Sequence, residues 1–275
     1  IHTTAMRLTE PGKVEREVVG VLEGMLKSHG SQPSFPTIFS VHGEVLHNPT
    51  HNNVMKAGDI VVHDSGTESA MHYASDITRT IPVSGRFTSK QRDVYEIVYR
   101  AQEKAIEAVA PGVEFRSLHH LAATELVSGL KDLGVVKGDV AEAVAADVHT
   151  LFFQCGLGHM MGLDVHDMEN LGEEYVGYTD TLKRNPAFGW CSLRLAKALE
   201  PDYVVTVEPG LYFIPALIDQ WRAENKLTQF IDYQALEAYR DFGGARLEDD
   251  ILVTKQGYRR LGRPIPKTID EVEQA

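Results

Sequence analysis

The stretch VVHDSGTESAMHYASDITRT, residues 61–80, does more than any other to limit what this chain can fold into. Two β-rich segments flank a Gly/Thr/Glu/Ser turn region, which is the pattern of a hairpin. Asp64 and Asp76 lie on either side of a midpoint near residue 70, so pairing about that point brings two carboxylates together. Their even separation also puts both side chains on one face of a sheet. Neighbouring carboxylates in a half-buried hairpin repel one another, and a buried unpaired charge is costly. A divalent cation would remove that cost. Taken alone, the same residues also read as a turn acid at Asp64 and a helix cap or Arg79 partner at Asp76.

Around this hairpin the apolar periodicity changes twice. Residues 1–29 read as one helix, with Val18, Val19, Leu22 and Leu26 at helical spacing and Gly30 as the stop. Thr37–Val41 and Asp59–His63 are short β-rich segments. Thr88 and Gln91 form a capping box ahead of the stripe Val94, Ile97, Val98, Ala101, Ala105, which Pro111-Gly112 closes. A second helix starts near Ser117 and ends at Gly134, and a short third lies near residues 140–150. The β signal returns in Tyr203–Val207 and Leu247–Val253, with an interrupted helical region at roughly 215–240 between them. Strands, then helices, then strands predict an α+β fold with helices packed on a mainly antiparallel sheet. No internal repeat, low-complexity tract or Pro/Ser-rich linker is visible, so residues 1–275 are expected to form a single domain.

Three further motifs carry candidate chemistry. GLGHMMGLDVHD, residues 156–167, sets His159 and His166 among glycines that permit close backbone approach. Imidazole ligates Mn, Fe, Co or Zn and can hydrogen-bond an oxyanion, although structural or solvated histidines fit the same pattern. In YVVTVEPGLYF, residues 203–213, an apolar strand ends in Glu208 directly before Pro209-Gly210. That places a carboxylate at a site mouth, or alternatively at a turn. In GGARLEDDILVT, residues 243–254, Arg246 and Glu248 share one strand face and Leu247 the other, while Asp249 and Asp250 are expected to cap or face water. A cross-strand ion pair is the plainer reading of Arg246.

Together, Asp64, Asp76, His159, Glu208 and Glu248 supply four carboxylates and one imidazole. Their charge nearly cancels that of two divalent ions and leaves a site able to deprotonate a bridging water. The set is hard and oxygen-rich, which favours Mn, with Co, Fe or Zn as alternatives. No HExxH motif points to a zincin. A cysteine nucleophile at Cys155 is a weaker alternative.

The ordered set HDSG…SDITRT, GLGHMMGLDVHD, TVEPGLYF and GGARLEDD resembles the pita-bread metallopeptidases, specifically the Xaa-Pro dipeptidases (prolidases) and Xaa-Pro aminopeptidases. The resemblance runs from the helix before Pro11-Gly12 to Thr254. It implies a pseudo-symmetric pita-bread (creatinase/aminopeptidase) fold, a curved, mainly antiparallel sheet covered by helices, with two metal ions held on that sheet. Asp64 would bind one ion, Asp76 and Glu248 would bridge, and His159 and Glu208 would complete the other ion's set of ligands. By the same resemblance His47, in VLHNPTHN, and His166 would contact substrate or the tetrahedral intermediate, Arg246 would support the site, and Tyr212 would lie close to it. The implied reaction is hydrolysis of the bond preceding proline in Xaa-Pro dipeptides by a hydroxide held between the ions, with Glu208 carrying the proton. Arg194 falls where prolidases carry the arginine that clamps the dipeptide carboxylate, although it also reads as a helix-surface residue. Action on longer peptides, as an Xaa-Pro aminopeptidase, is the alternative. A non-catalytic binding module on the same fold would be expected to have lost ligands, and all five are present.

One departure from the family pattern stands out, since His47 is followed by Asn48 rather than Tyr; the family's usual N-terminal domain is not among residues 1–275, and the start at Ile1 is expected to be that of a trimmed chain. The full-length protein is expected to be a homodimer. With 27 Lys and Arg against 39 Asp and Glu, the net charge of −12 argues against a nucleic-acid or membrane-surface partner. Two cysteines make no disulfide framework, which predicts a cytoplasmic protein.

Overall fold

Pro11-Gly12 splits the predicted first helix in two. Gly12 has φ +94°, a left-handed conformation that ends helical hydrogen bonding and that other residues adopt only with strain. The computed structural model, which describes residues 1–275, therefore begins with α1 (His2–Leu8) and α2 (Glu15–Ser28). The strands β1 (Gln32–Pro33), β2 (Ile38–Ser40), β3 (Ile60–Ser65), β4 (Thr67–Glu68) and β5 (Ile77–Pro82) follow. Next come the helices α3 (Ser89–Glu107), α4 (Phe115–Asp132), α5 (Val140–Ala145) and α6 (Glu173–Gly177). The C-terminal part holds β6 (Val204–Val207), β7 (Gly210–Tyr212), α7 (Pro215–Ala223), α8 (Tyr233–Leu236), β8 (Gly244–Arg246), β9 (Asp249–Thr254), β10 (Gly257–Arg260) and α9 (Ile269–Gln274).

The capping box before α3 forms as expected: the Thr88 hydroxyl accepts the Gln91 N–H, and the Gln91 side chain accepts the Thr88 N–H. Every strand pairing is antiparallel, in the orders β2-β3-β5, β6-β9-β10, β7-β8 and β1-β4. The pieces are stitched into one surface between β5 and β8. Thr80 Oγ1 donates to the Arg246 carbonyl at 2.9 Å and accepts the Arg246 N–H at 3.0 Å, and the Glu248 N–H donates to the Thr78 carbonyl at 3.1 Å. The helices α3 and α4 pack on one another, and α3 also packs on β6, β7 and β8. Their apolar faces, with Val98, Ala101, Phe115 and Leu126, join Phe39, Val61, Ile81, Val205 and Leu247 in one continuous core. Each fully buried Leu or Phe there contributes about 1.5–3 kcal/mol. Gln102, fully buried on α3, donates to the Val207 carbonyl at 3.0 Å and so ties the helix to the strand that leads into Glu208. The α+β arrangement, with helices covering a mainly antiparallel sheet, is the expected one.

Three local expectations need correction. The hairpin pairs Asp64 with Thr78, not with Asp76. The β3–β5 ladder stops at Ser65–Ile77, because the next residue, Gly66, turns its backbone against Ser75; a Cβ on Gly66 would sit 1.6 Å from the Ser75 carbonyl oxygen. Asp76 therefore lies diagonal to Asp64, two positions from its partner, and the even spacing still keeps both on one face. The strand predicted at Leu247–Val253 starts only at Asp249, as β9, and Leu247 and Glu248 form a break that separates it from β8. Asp249 and Asp250, expected to cap or face water, are both buried. Asp249 pairs with Arg79 at 2.7 Å and with Lys267 at 2.6 Å, while Asp250 accepts the Asp76 N–H at 3.2 Å.

Candidate metal centre

Five short segments converge on one cavity of about 690 Å³, whose walls include Asp64, Asp76, His159, Glu208 and Glu248. The hairpin supplies the two aspartates. Glu248 enters at the break between β8 and β9, where Leu247 turns fully into the core and Glu248 turns the other way. His159 is placed by backbone pairing. Residues 157–161 run antiparallel along β6, with Glu208 N–H donating to Leu157 O at 2.8 Å, Thr206 N–H to His159 O at 3.0 Å and Met161 N–H to Val204 O at 3.0 Å. Gly158 permits this approach, since a Cβ there would stand 2.1 Å from the Thr206 carbonyl oxygen.

The result is a tight group of donors. Asp76, His159 and Glu248 each offer one ligand atom within 4.8 Å of the others, and all three are buried. His159 Nδ1 lies 3.0 Å from the Met160 carbonyl, which can only accept, so that nitrogen carries the proton and Nε2 keeps its lone pair. Nε2 stands 3.4 Å from Asp76 Oδ2 and 3.6 Å from Glu208 Oε1. Arg246, itself buried, ties down the opposite side. It donates from Nη2 to Asp64 Oδ2 at 2.7 Å, from Nη1 to the Tyr212 hydroxyl at 2.9 Å and from Nε to Thr78 Oγ1 at 3.1 Å. Thr78 Oγ1 in turn donates to Glu248 Oε2 at 2.6 Å.

The electrostatics of this group call for a cation. Burial, then the neighbouring Glu248, Asp64, Glu208 and Asp250, pushes Asp76 well above the usual carboxylate range. Burial, then Glu208 and Asp64, does the same to Glu248, and burial raises Glu208 to about 7. Asp64 Oδ1 and Asp76 Oδ1 are buried with no hydrogen-bond donor. Carboxylates that resist ionisation together and carry bare buried oxygens fit a divalent ion, which favours their charged forms and fills their lone pairs. The donor set is thus compatible with the metal that the sequence predicted.

His166 and Arg194 share the cavity, and the His166 ring stands edge-on to His159 with centroids 4.2 Å apart. His47, exposed on the loop after β2, also lines it, and its neighbour Asn48 is buried and donates to Ser40 Oγ at 3.0 Å. Tyr212 lies behind Arg246 and outside the cavity wall. Cys155 lines the cavity, but burial pushes its thiol up to about 12, which disfavours the thiolate that a cysteine nucleophile requires. Sequence reasoning missed Thr78, Thr206, Glu169 and Glu173. Thr206 Oγ1 accepts the His159 N–H at 3.1 Å and donates to Glu208 Oε1 at 3.3 Å, so it links two of the donors. The VxVE pattern of a strand ending in an acid could have flagged Thr206 as sharing a face with Glu208.

Comparison with known proteins fits this geometry. The profile of metallopeptidase family M24 matches residues 1–255. The human Xaa-Pro dipeptidase is 35% identical over 280 residues, covering 99% of this chain and 55% of that protein. The Escherichia coli K12 Xaa-Pro aminopeptidase is 35% identical over 275 residues, covering 99% and 54%. Among solved structures, zinc-substituted E. coli aminopeptidase P in complex with product superposes with a TM-score of 0.80 at 36% identity, covering 99% of this chain and 54% of that one. The P. aeruginosa aminopeptidase PepP gives 0.80 at 31% identity, with the same coverage. The chain thus spans about half the length of the curated relatives it matches. Pita-bread architecture, predicted from the motifs, is the fold of this chain. With a family profile running through nearly the whole chain and the acidic cluster built from its motifs, the protein belongs to metallopeptidase family M24.

Proposed function

We propose that this chain hydrolyses the peptide bond preceding proline in Xaa-Pro dipeptides, using two divalent metal ions. The observation that carries the proposal is the Asp76–His159–Glu248 cluster, tight enough to hold an ion, in one cavity with the guanidinium of Arg194. Asp64, Asp76, His159, Glu208 and Glu248 would hold the ions, with Asp76 and Glu248 shared between them. When bound, such ions polarise the scissile carbonyl and lower the pKa of water in the site. The chemistry around them belongs to the protein. Glu208 takes the proton of the attacking water and passes it to the departing proline nitrogen. His166 and His47 donate hydrogen bonds to the carbonyl oxygen as its charge grows. Arg246 fixes Asp64 and is itself held from behind by the Tyr212 hydroxyl. Arg194 receives the C-terminal carboxylate of the dipeptide.

Mn is the favoured ion, with Co, Fe or Zn as alternatives, because the set holds four oxygen donors and one nitrogen donor. The proposed enzyme works in the cytoplasm as a homodimer and needs no nucleic-acid or membrane partner. No helix is long and apolar enough to cross a membrane, and both cysteines are free thiols. An Xaa-Pro aminopeptidase acting on longer peptides is the second reading, supported by relatives that carry that name. The test is hydrolysis of Ala-Pro and Ala-Pro-Ala with and without added Mn. Metal-dependent cleavage that prefers Ala-Pro and disappears in Asp76→Asn is expected. Full activity in that variant would sink the metal mechanism, and preference for the tripeptide would favour the second reading.

A further inference from the structure

Arg194 does not stand alone in the cavity. Its Nη1 donates to Glu169 Oε2 at 2.6 Å and lies 3.5 Å from Glu173 Oε2, whereas its Nη2 and Nε make no hydrogen bond within the protein. Glu173 is itself committed to Arg184 and, like Arg194, lines the cavity. Glu169 is different. It sits behind the wall, on a short turn over Glu169–Leu171, and its Oε2 also stands 3.6 Å from His166 Nδ1. The turn is fixed by the Glu169 N–H donating to His166 O at 3.3 Å and the Gly172 N–H to Glu169 O at 3.0 Å.

We propose that Glu169 is a positioning residue that confers the carboxylate preference of this site. It holds one edge of the Arg194 guanidinium from behind and leaves the Nη2–Nε edge for a bidentate substrate carboxylate. This proposal rests on the reading of Arg194 as the clamp. A guanidinium on a flexible stem loses side-chain entropy when it orders, so an anchor made before substrate arrives reduces the cost of binding. Arg194 is also the more exposed partner, with 36% of its side chain accessible against 11% for Glu169, as a guanidinium held from the rear requires. The same oxygen of Glu169 that bonds Arg194 lies 3.6 Å from His166 Nδ1, so Glu169 sits between the carboxylate end and the carbonyl end of a bound dipeptide.

The experiment measures binding of Ala-Pro and of Ala-Pro amide by titration calorimetry, on the full chain in chelator so that no turnover occurs. The readout is the ratio of the two dissociation constants, amide over acid. The wild type is expected to favour the acid, and Glu169→Ala to reduce that ratio about tenfold, with Glu169→Gln intermediate because it keeps an acceptor oxygen. In an Arg194→Ala background, Glu169→Ala is expected to change the ratio no further, a coupling that a merely structural residue would not show. Tighter acid binding in Glu169→Ala overturns the proposal and makes Glu169 a competitor of the substrate instead. Equal loss for acid and amide, or no change, also overturns it. A wild type that does not favour the acid, or whose preference survives Arg194→Ala, overturns the clamp reading and this proposal with it. Preserved clamp behaviour with an inert Glu169 overturns this proposal alone.

Discussion

Replacing Thr78 by Val tests how far the donor cluster depends on a single hydroxyl. Valine keeps the shape of threonine in a position with no solvent exposure, and it removes only the oxygen. That oxygen donates to Glu248 Oε2 at 2.6 Å and accepts Arg246 Nε at 3.1 Å, so the substitution takes one partner from a buried acid and one from a buried guanidinium. The bond to the charged Arg246 is worth about 1.5–3 kcal/mol, and the bond to Glu248, which burial keeps from ionising in chelator, about 0.5–1.5 kcal/mol. The two share one atom and do not add fully, which gives a loss of about 3 kcal/mol. For a chain of this size that corresponds to a fall in Tm of roughly 5 °C. Orientation of Glu248 is lost as well, and outer partners of this kind typically change metal affinity by about 10–100-fold. Urea unfolding in chelator and in saturating Mn, together with Mn titration calorimetry, measures both effects, and Thr78→Ser serves as the control that keeps the hydroxyl. A Thr78→Val protein within about 0.5 kcal/mol of the wild type, with unchanged Mn affinity, would refute the view that this hydroxyl orders the site.

Other perturbations follow from the same structure. Gly158→Ala drives a methyl group into the Thr206 carbonyl and must push His159 away from β6, so Mn stoichiometry is expected to fall along with Tm; a fully loaded, stable variant contradicts that placement. Asp249→Ala strips the carboxylate from buried Arg79 and Lys267 and should cost about 3–5 kcal/mol in chemical denaturation. Acid stability is set partly by His119 and His149, which burial holds at about 3 and about 4. Both stay neutral in the fold while the unfolded chain takes up protons near pH 6.5, so stability falls as the pH drops from about 6.5 toward 4, by about 1.4 kcal/mol per unit and histidine. His119→Leu should therefore flatten urea-derived stability against pH in that window, and parallel curves for variant and wild type would show that this histidine is not responsible.

Much of the site could be read from the chain because its donors are of chemically distinctive types at strand ends and turns. The even spacing of Asp64 and Asp76 put both on one sheet face even though the register came out two residues from the expected pairing. The alternation in Arg246-Leu247-Glu248 likewise separated core from site, although the strand breaks there. What escaped notice were residues whose meaning depends on distant partners. Thr78 is an ordinary strand residue until Glu248, 170 positions later, arrives beside it. Asp249 and Asp250 looked like surface acids because local sequence carries no sign of Arg79, Lys267 or the Asp76 N–H closing around them. The first helix was overextended for a local reason: the apolar repeat after Pro11-Gly12 outweighed the punctuation those two residues supply.

The order in which the donors occur along the chain has a consequence for assembly. Asp64 and Asp76 belong to a hairpin made early, whereas Glu208 and Glu248 lie at strand ends more than a hundred residues downstream, in a segment stitched to the hairpin through Thr78 and Thr80. On a ribosome the first pair emerges with no cation-binding partners in reach, so a growing chain has no tight site to offer. Capture of an ion by the proposed ligands would then report completion of the whole sheet rather than progress of any part. An ion held there would close a loop of 184 residues between Asp64 and Glu248, and so would act on the folded chain as a reversible staple between two segments far apart in sequence.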